Sequence, residues 1–217
     1  SQRVEAIAST PLRLRVHDFA LPATPSLDVR SAFRANLALE RETGDPDEIM
    51  RRYYADIYAH RSRCSPGVSP TVRVQGDAVE LDTTRYLEHL RFMRDELGMD
   101  AVDLPALWIG HAGDHLMPPD AQWQRIPIFA DEGCTALNPA FERPFTDFLT
   151  KLVAALRAEG LLLQPTVRFI DEPRLDDERT RAGIRTLSEL MLRVEPELRI
   201  ANTVSAPHPE LLDVTRV

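Results

Sequence analysis

The chain has 217 residues, 43% of them hydrophobic and 28% charged, a balance that buries a sizeable core and excludes a disordered or fibrous protein. Its formal net charge is -8, and every cation except Lys151 is an arginine, with no basic block among them. Duplex DNA or RNA is therefore not an expected partner, because phosphate binding needs a clustered positive field. Nor is membrane insertion expected, since no apolar run reaches the ~20 residues that span a bilayer.

Residues 1–10 lack the basic start and apolar centre of a signal peptide, and they lack an initiator methionine. Ser1 is thus expected not to be the natural start, which leaves the compartment open. Cys64 and Cys134 fit neither a CxxC metal pair nor a disulfide-dense scaffold. No G-x-S-x-G, P-loop or G-x-G-x-x-G motif occurs.

In chain order, residues 12–21 alternate Leu12, Leu14 and Val16 with Arg13, Arg15 and His17, which predicts a half-buried strand. Asp45 as cap and Pro46 at the first helical position predict a helix with Ile49, Tyr53 and Ile57 on one face. Residues 69–84 read as a hairpin turning at Gly76 and Asp77. Asp82 is expected to cap the following helix, with Leu87, Leu90 and Leu97 near one stripe and Gly98 as its left-handed end.

A strand over residues 101–110 comes next, then an irregular, proline-bearing passage over 111–139. Phe141, Phe145, Phe148, Leu149, Leu152, Val153 and Leu156 define one face of a helix that Gly160 stops. Residues 166–173 form the next strand, a helix with Ile184, Leu187, Leu190, Met191 and Val194 inward follows, and residues 198–206 read as a last strand.

Strand and helix alternating at this spacing predict parallel strands joined by crossover helices. About five such units are counted, so the expected fold is α/β, either an open sheet or a (β/α) TIM-type barrel with about five to six of its eight units present. The whole of 1–217 is expected to be one such domain and, because it stops right after "LLDVTRV" with no terminating helix, a portion of a longer protein.

The strand "TVRFIDEP" ends in two carboxylates and a proline. Alternation puts Val167, Phe169 and Asp171 on one side and Arg168, Ile170 and Glu172 on the other, and Pro173 ends the ladder. Asp171 and Glu172 are then expected at the carboxyl tip of a parallel strand, the edge from which α/β folds draw catalytic groups. Adjacent acids cannot stand on opposite sides of a sugar as an ordinary glycosidase pair does. They can serve a substrate bearing a 2-acetamido group, one acid orienting the amide while the other protonates the leaving oxygen. The competing reading makes these acids helix caps, since a helix follows.

Other candidates sit at predicted strand tips. Trp108 is placed to stack on a sugar face, though a packed core tryptophan is the alternative. His17, Asp18, His60, Arg61 and Asn202 are candidate sugar contacts, against a satisfied histidine and a structural ion pair. His111 and His115 have metal-ligand spacing only on a helix, which Gly113 and the prolines oppose, so a hydrogen-bonding role is assigned to His111. Tyr53, Tyr54 and Tyr58 are read as packing residues.

The stretches "LRVHDFALPATPSL", "YAHR", "LPALWIG", "NPAF", "FIDEP", "LRIANT" and "LLDV" together resemble the catalytic domain of glycoside hydrolase family 123, over nearly the whole chain and in that order. The resemblance implies a (β/α) barrel that cleaves terminal β-linked N-acetylgalactosamine from a glycan by substrate-assisted, retaining catalysis, with no metal or organic cofactor. It implies that Asp171 polarises the acetamido group and that Glu172 is the general acid and then the base. Family members look longer, with a β-sandwich before the barrel and further strands after the position of Val217. The rival expectations are a non-catalytic carbohydrate-binding or structural barrel fragment, and a conventional two-carboxylate glycosidase with a distant second acid such as Asp103.

Overall fold

The helices form where a polar cap precedes an apolar stripe. In the computed structural model, the described residues are 11–16, 18–19, 29–30, 33, 35–105, 108–109, 115–116, 127–170, 172–202 and 208–215, with backbone alone at 108–109 and 115–116. A short helix, α1 (Ala35–Arg41), precedes α2 (Pro46–Ala59). The Asp45 carboxylate accepts from the amides of Asp47 and Glu48, each at 3.0 Å, satisfying two of the donors that a helix start leaves open.

Helix α3 (Thr84–Leu97) is capped formally by Thr83, while Asp82 accepts from the Thr84 amide at 2.9 Å, one residue earlier than a standard cap. Gly98, at φ 72°, supplies the left-handed end, a conformation in which a Cβ is unfavourable. Asn138 caps α4 (Pro139–Ala158) and Asp177 caps α5 (Glu178–Val194).

Helix α4 buries Phe141, Phe145, Phe148, Leu149, Leu152, Val153 and Leu156, and α5 buries Ile184, Leu187, Leu190 and Met191. These join one hydrophobic cluster that also takes in Val102, Leu104, Val167, Phe169 and Ile200. On α2 the buried stripe is Ile49, Met50 and Tyr54, rotated from the expected Ile49, Tyr53 and Ile57. Tyr54 goes inward because its hydroxyl finds partners there, accepting from the Gly67 amide at 2.7 Å and meeting His89 at 3.2 Å.

Strands β1 (Thr71–Gln75) and β2 (Ala78–Asp82) form the expected antiparallel hairpin around Gly76, at φ 61°. Strands β3 (Trp108–Ile109) and β4 (His115–Leu116) pair antiparallel. Strand β5 (Thr166–Val167) pairs parallel with β6 (Arg199–Ile200), and Asp103 bridges Thr166 in parallel on the other side. A separate parallel bridge joins Arg30 to Arg63.

This architecture overturns the barrel. Among the described residues there are five α-helices and three two-stranded sheets, and the one parallel sheet is a two-residue ladder. The α/β alternation survives; five to six barrel units do not. Prolines bracket the parallel segments: Pro105 follows Leu104, Pro165 precedes Thr166 and Pro173 follows Glu172, each removing a donor from a ladder that is already short. The first expected strand also fails. Residues 11–16 pair with nothing among the described residues, and Leu12, Leu14 and Val16 are 89%, 79% and 84% exposed, so the alternation has no core to bury against.

Candidate functional site

The parallel ladder sorts its side chains into two layers. Val102, Val167 and Ile200 are buried in the core cluster, whereas Asp103, Thr166, Arg168, Arg199 and Ala201 line a cleft of about 480 Å³ on the other face. Hydrogen bonds hold that floor flat. The Thr166 amide donates to Val102 and the Leu104 amide to Thr166, while the Arg199 and Ala201 amides donate to Pro165 and Val167. Strand β5 is therefore central, flanked by the 102–104 segment and by β6.

Around the floor, Arg30 forms an ion pair with Asp103, and both line the cleft together with Tyr86. The Tyr86 hydroxyl donates to the Asp103 carbonyl at 3.3 Å, and burial raises its pKa well above the usual phenol value, so it acts as a neutral donor. Asp103, the distant acid of the conventional two-carboxylate alternative, thus already has a cationic partner.

The Asp-Glu-Pro motif follows β5 after Arg168, Phe169 and Ile170. Asp171 lies outside the described residues. Glu172 is exposed and adopts φ 45°, a left-handed conformation rare for a residue with a side chain. It does not cap the following helix. That role falls to Asp177, which accepts from the Arg179 amide at 3.2 Å and the Thr180 hydroxyl at 2.9 Å. Glu172 has no hydrogen-bond or ion-pair partner among the described residues.

Asn202 directly follows Ala201 at the same end of the neighbouring strand. Its side-chain oxygen and nitrogen are both buried, and neither has a partner among the described residues. A primary amide left so costs about 1–3 kcal/mol per unsatisfied group; both atoms are sealed from solvent, and Asn202 does not line the cleft.

The remaining candidates divide. His60 is no strand tip but the C-cap of α2, exposed, with Nδ1 at 2.8 Å from the Asp56 carbonyl; the α2 helix runs through the segment read as a strand end. Arg61 follows it at φ 61°, turning the chain out of that helix. Asp18 is exposed, on the segment that forms no strand. Trp108 falls in β3, described by its backbone alone, and His17 and His111 lie outside the described residues.

What sequence reasoning missed was the floor itself: Arg168, Arg199 and Thr166. The signal was available, because Arg168 in "TVRFI" and Arg199 in "ELRIA" put a charge on alternate positions of otherwise apolar strands, which implies one face that is not packed. No family model and no curated protein matches the chain.

Proposed function

We propose that the protein is a glycoside hydrolase that cleaves terminal β-linked N-acetylgalactosamine by substrate-assisted, retaining catalysis, with Asp171 and Glu172 as its acids. The observation that carries this reading is the position of Glu172: exposed, unpaired among the described residues, and held in left-handed backbone in the segment that follows β5, which ends at Val167. Strained backbone clusters at functional sites, though Arg61, Cys134 and Gln164 also adopt positive φ.

In this scheme the carbonyl oxygen of the 2-acetamido group attacks the anomeric carbon while the glycosidic C–O bond breaks. Glu172 donates its proton to the departing oxygen, and Asp171 accepts from the amide N–H, raising the nucleophilicity of its oxygen. The cyclic oxazolinium ion, its N–H still held by Asp171, then opens as water attacks the same carbon, with Glu172 taking the water's proton. Two inversions give net retention.

Glu172→Gln removes the transferable proton and leaves the shape, so hydrolysis of a chromogenic β-N-acetylgalactosaminide should fall by roughly 10²–10⁴-fold. A thiazoline that mimics the oxazoline should inhibit the wild type. Unchanged turnover in the variant would overturn the assignment, and thiazoline-resistant turnover would favour a conventional carboxylate pair instead.

A further inference from the structure

The cleft floor presents two guanidinium groups that have no answering acid among the described residues. In the parallel register Arg199 stands beside Thr166, and Arg168 comes one residue past Val167, so the two arginines share one face as diagonal neighbours. Both line the cleft, and neither has a hydrogen-bond or ion-pair partner among the described residues. Many of the other arginines are paired, among them Arg85 with Asp47, Arg91 with Glu159, Arg157 with Glu195 and Arg185 with Asp213, while those that likewise have no ion pair among the described residues, such as Arg73 and Arg179, do not line this cleft. A chain with net charge -8 has acids in excess, yet it leaves two cations side by side in a concavity, where they repel each other.

A planar guanidinium recognises a carboxylate through paired N–H donors, and a second one alongside neutralises the charge that desolvation would otherwise penalise. Tyr86 and Thr166 also line it, their hydroxyls already donating to the Asp103 and Gln164 carbonyls. Arg168 precedes Glu172 by four residues, at most about 14 Å of extended chain, which bounds the distance from this floor to Glu172; Glu172 itself does not line the cleft.

We propose that the cleft binds the carboxylate of a uronic acid, the sugar to which the terminal N-acetylgalactosamine is attached. This rests on the glycosidase reading and narrows its substrate to an acidic glycan. Arg168 and Arg199 hold the carboxylate, and the Arg30–Asp103 pair borders it.

The test uses the Glu172→Gln chain, which should bind without turnover, and two disaccharides: β-N-acetylgalactosaminyl glucuronate and its neutral glucose counterpart. By calorimetry the uronate should bind roughly tenfold or more tightly, as one charge-assisted contact implies, and the ratio should shrink with added salt. Adding Arg168→Gln and Arg199→Gln should erase the ratio. The paired Arg→Lys changes, which keep the charge and lose the fork, should retain part of it. Equal binding of the two disaccharides, or a preference that survives both Gln changes, overturns the inference; so does preference for a sulfated neutral disaccharide over the uronate. Because binding is read without turnover, failure of the wild type to hydrolyse a neutral chromogenic glycoside sinks only the glycosidase reading, whereas hydrolysis with equal binding sinks only the anion site.

Discussion

Glu172 holds its backbone at φ 45° with a Cβ in place, where glycine would be at ease. The conformation costs about 1–2 kcal/mol for an L-residue, and no hydrogen bond to the Glu172 carboxylate among the described residues repays it. Comparing Glu172→Gly with Glu172→Ala isolates the backbone contribution, since both lose the carboxylate. The glycine chain should be more stable than the alanine chain by about 1 kcal/mol in urea unfolding, and both should be inactive. Equal midpoints would mean that the left-handed geometry carries no cost. The contrast with Asp177 is informative: five residues later an acid spends both oxygens on a helix start, which is what an acid retained for structure does.

Between elements, the hairpin is tied to the long helix by charge as well as by burial. The Val79 amide donates to Asp147 at 2.7 Å, and the Lys151 ammonium donates to the Val79 carbonyl at 2.6 Å and to Asp147 at 2.7 Å. One peptide unit of β2 is thus satisfied by two residues a turn apart on α4. Asp147→Ala would leave the half-buried amide without an acceptor and the ammonium without its counter-charge, a loss of about 1–3 kcal/mol measurable by urea titration. Lys151→Met should cost less, since the Val79 carbonyl has the further option of water. This tie was invisible in the sequence, where only the hairpin and its turn could be read. What was legible had local causes: the Asp45 cap, the Gly76 turn, the Gly98 stop and the phenylalanine stripe of α4 each declare themselves within a few residues. Strand pairing is non-local, so alternation over residues 12–21 could not reveal that residues 11–16 find no strand partner among the described residues and leave Leu12, Leu14 and Val16 exposed. For the same reason the sequence could nominate the Asp-Glu-Pro motif and Asn202 but not the Arg168 and Arg199 floor, which emerged only once β5 and β6 were placed side by side.

For the molecule as a whole, acid should act in two stages, and His89 governs the first. Its side chain is 1% exposed, bridging α2 and α3. Nε2 lies 3.1 Å from the Asp47 carboxylate, which can only accept, so Nε2 carries the proton; Nδ1 therefore accepts from the Tyr54 hydroxyl at 3.2 Å. Burial lowers the His89 pKa below its ordinary 6.5, helped by Arg85 and Arg51, against the opposing pull of Asp47. The unfolded chain consequently binds a proton that the folded chain refuses as pH drops below about 6.5, and stability falls there by at most ~1.4 kcal/mol per pH unit for this one site. The second stage begins lower. Asp47, held down chiefly by its hydrogen bond to Arg85, and Asp177 and Asp213, held down by Thr180 and Arg185, stabilise the fold above the ordinary carboxylate range and lose that contribution as pH falls through their depressed values. His89→Gln keeps a donor for Asp47 and removes the titration. Urea midpoints measured from pH 8 to pH 3 should therefore decline in two steps for the wild type, while the variant should be flat above pH 5 and decline only below it. A variant curve parallel to the wild type between pH 6.5 and 5 would show that the first step belongs to another group.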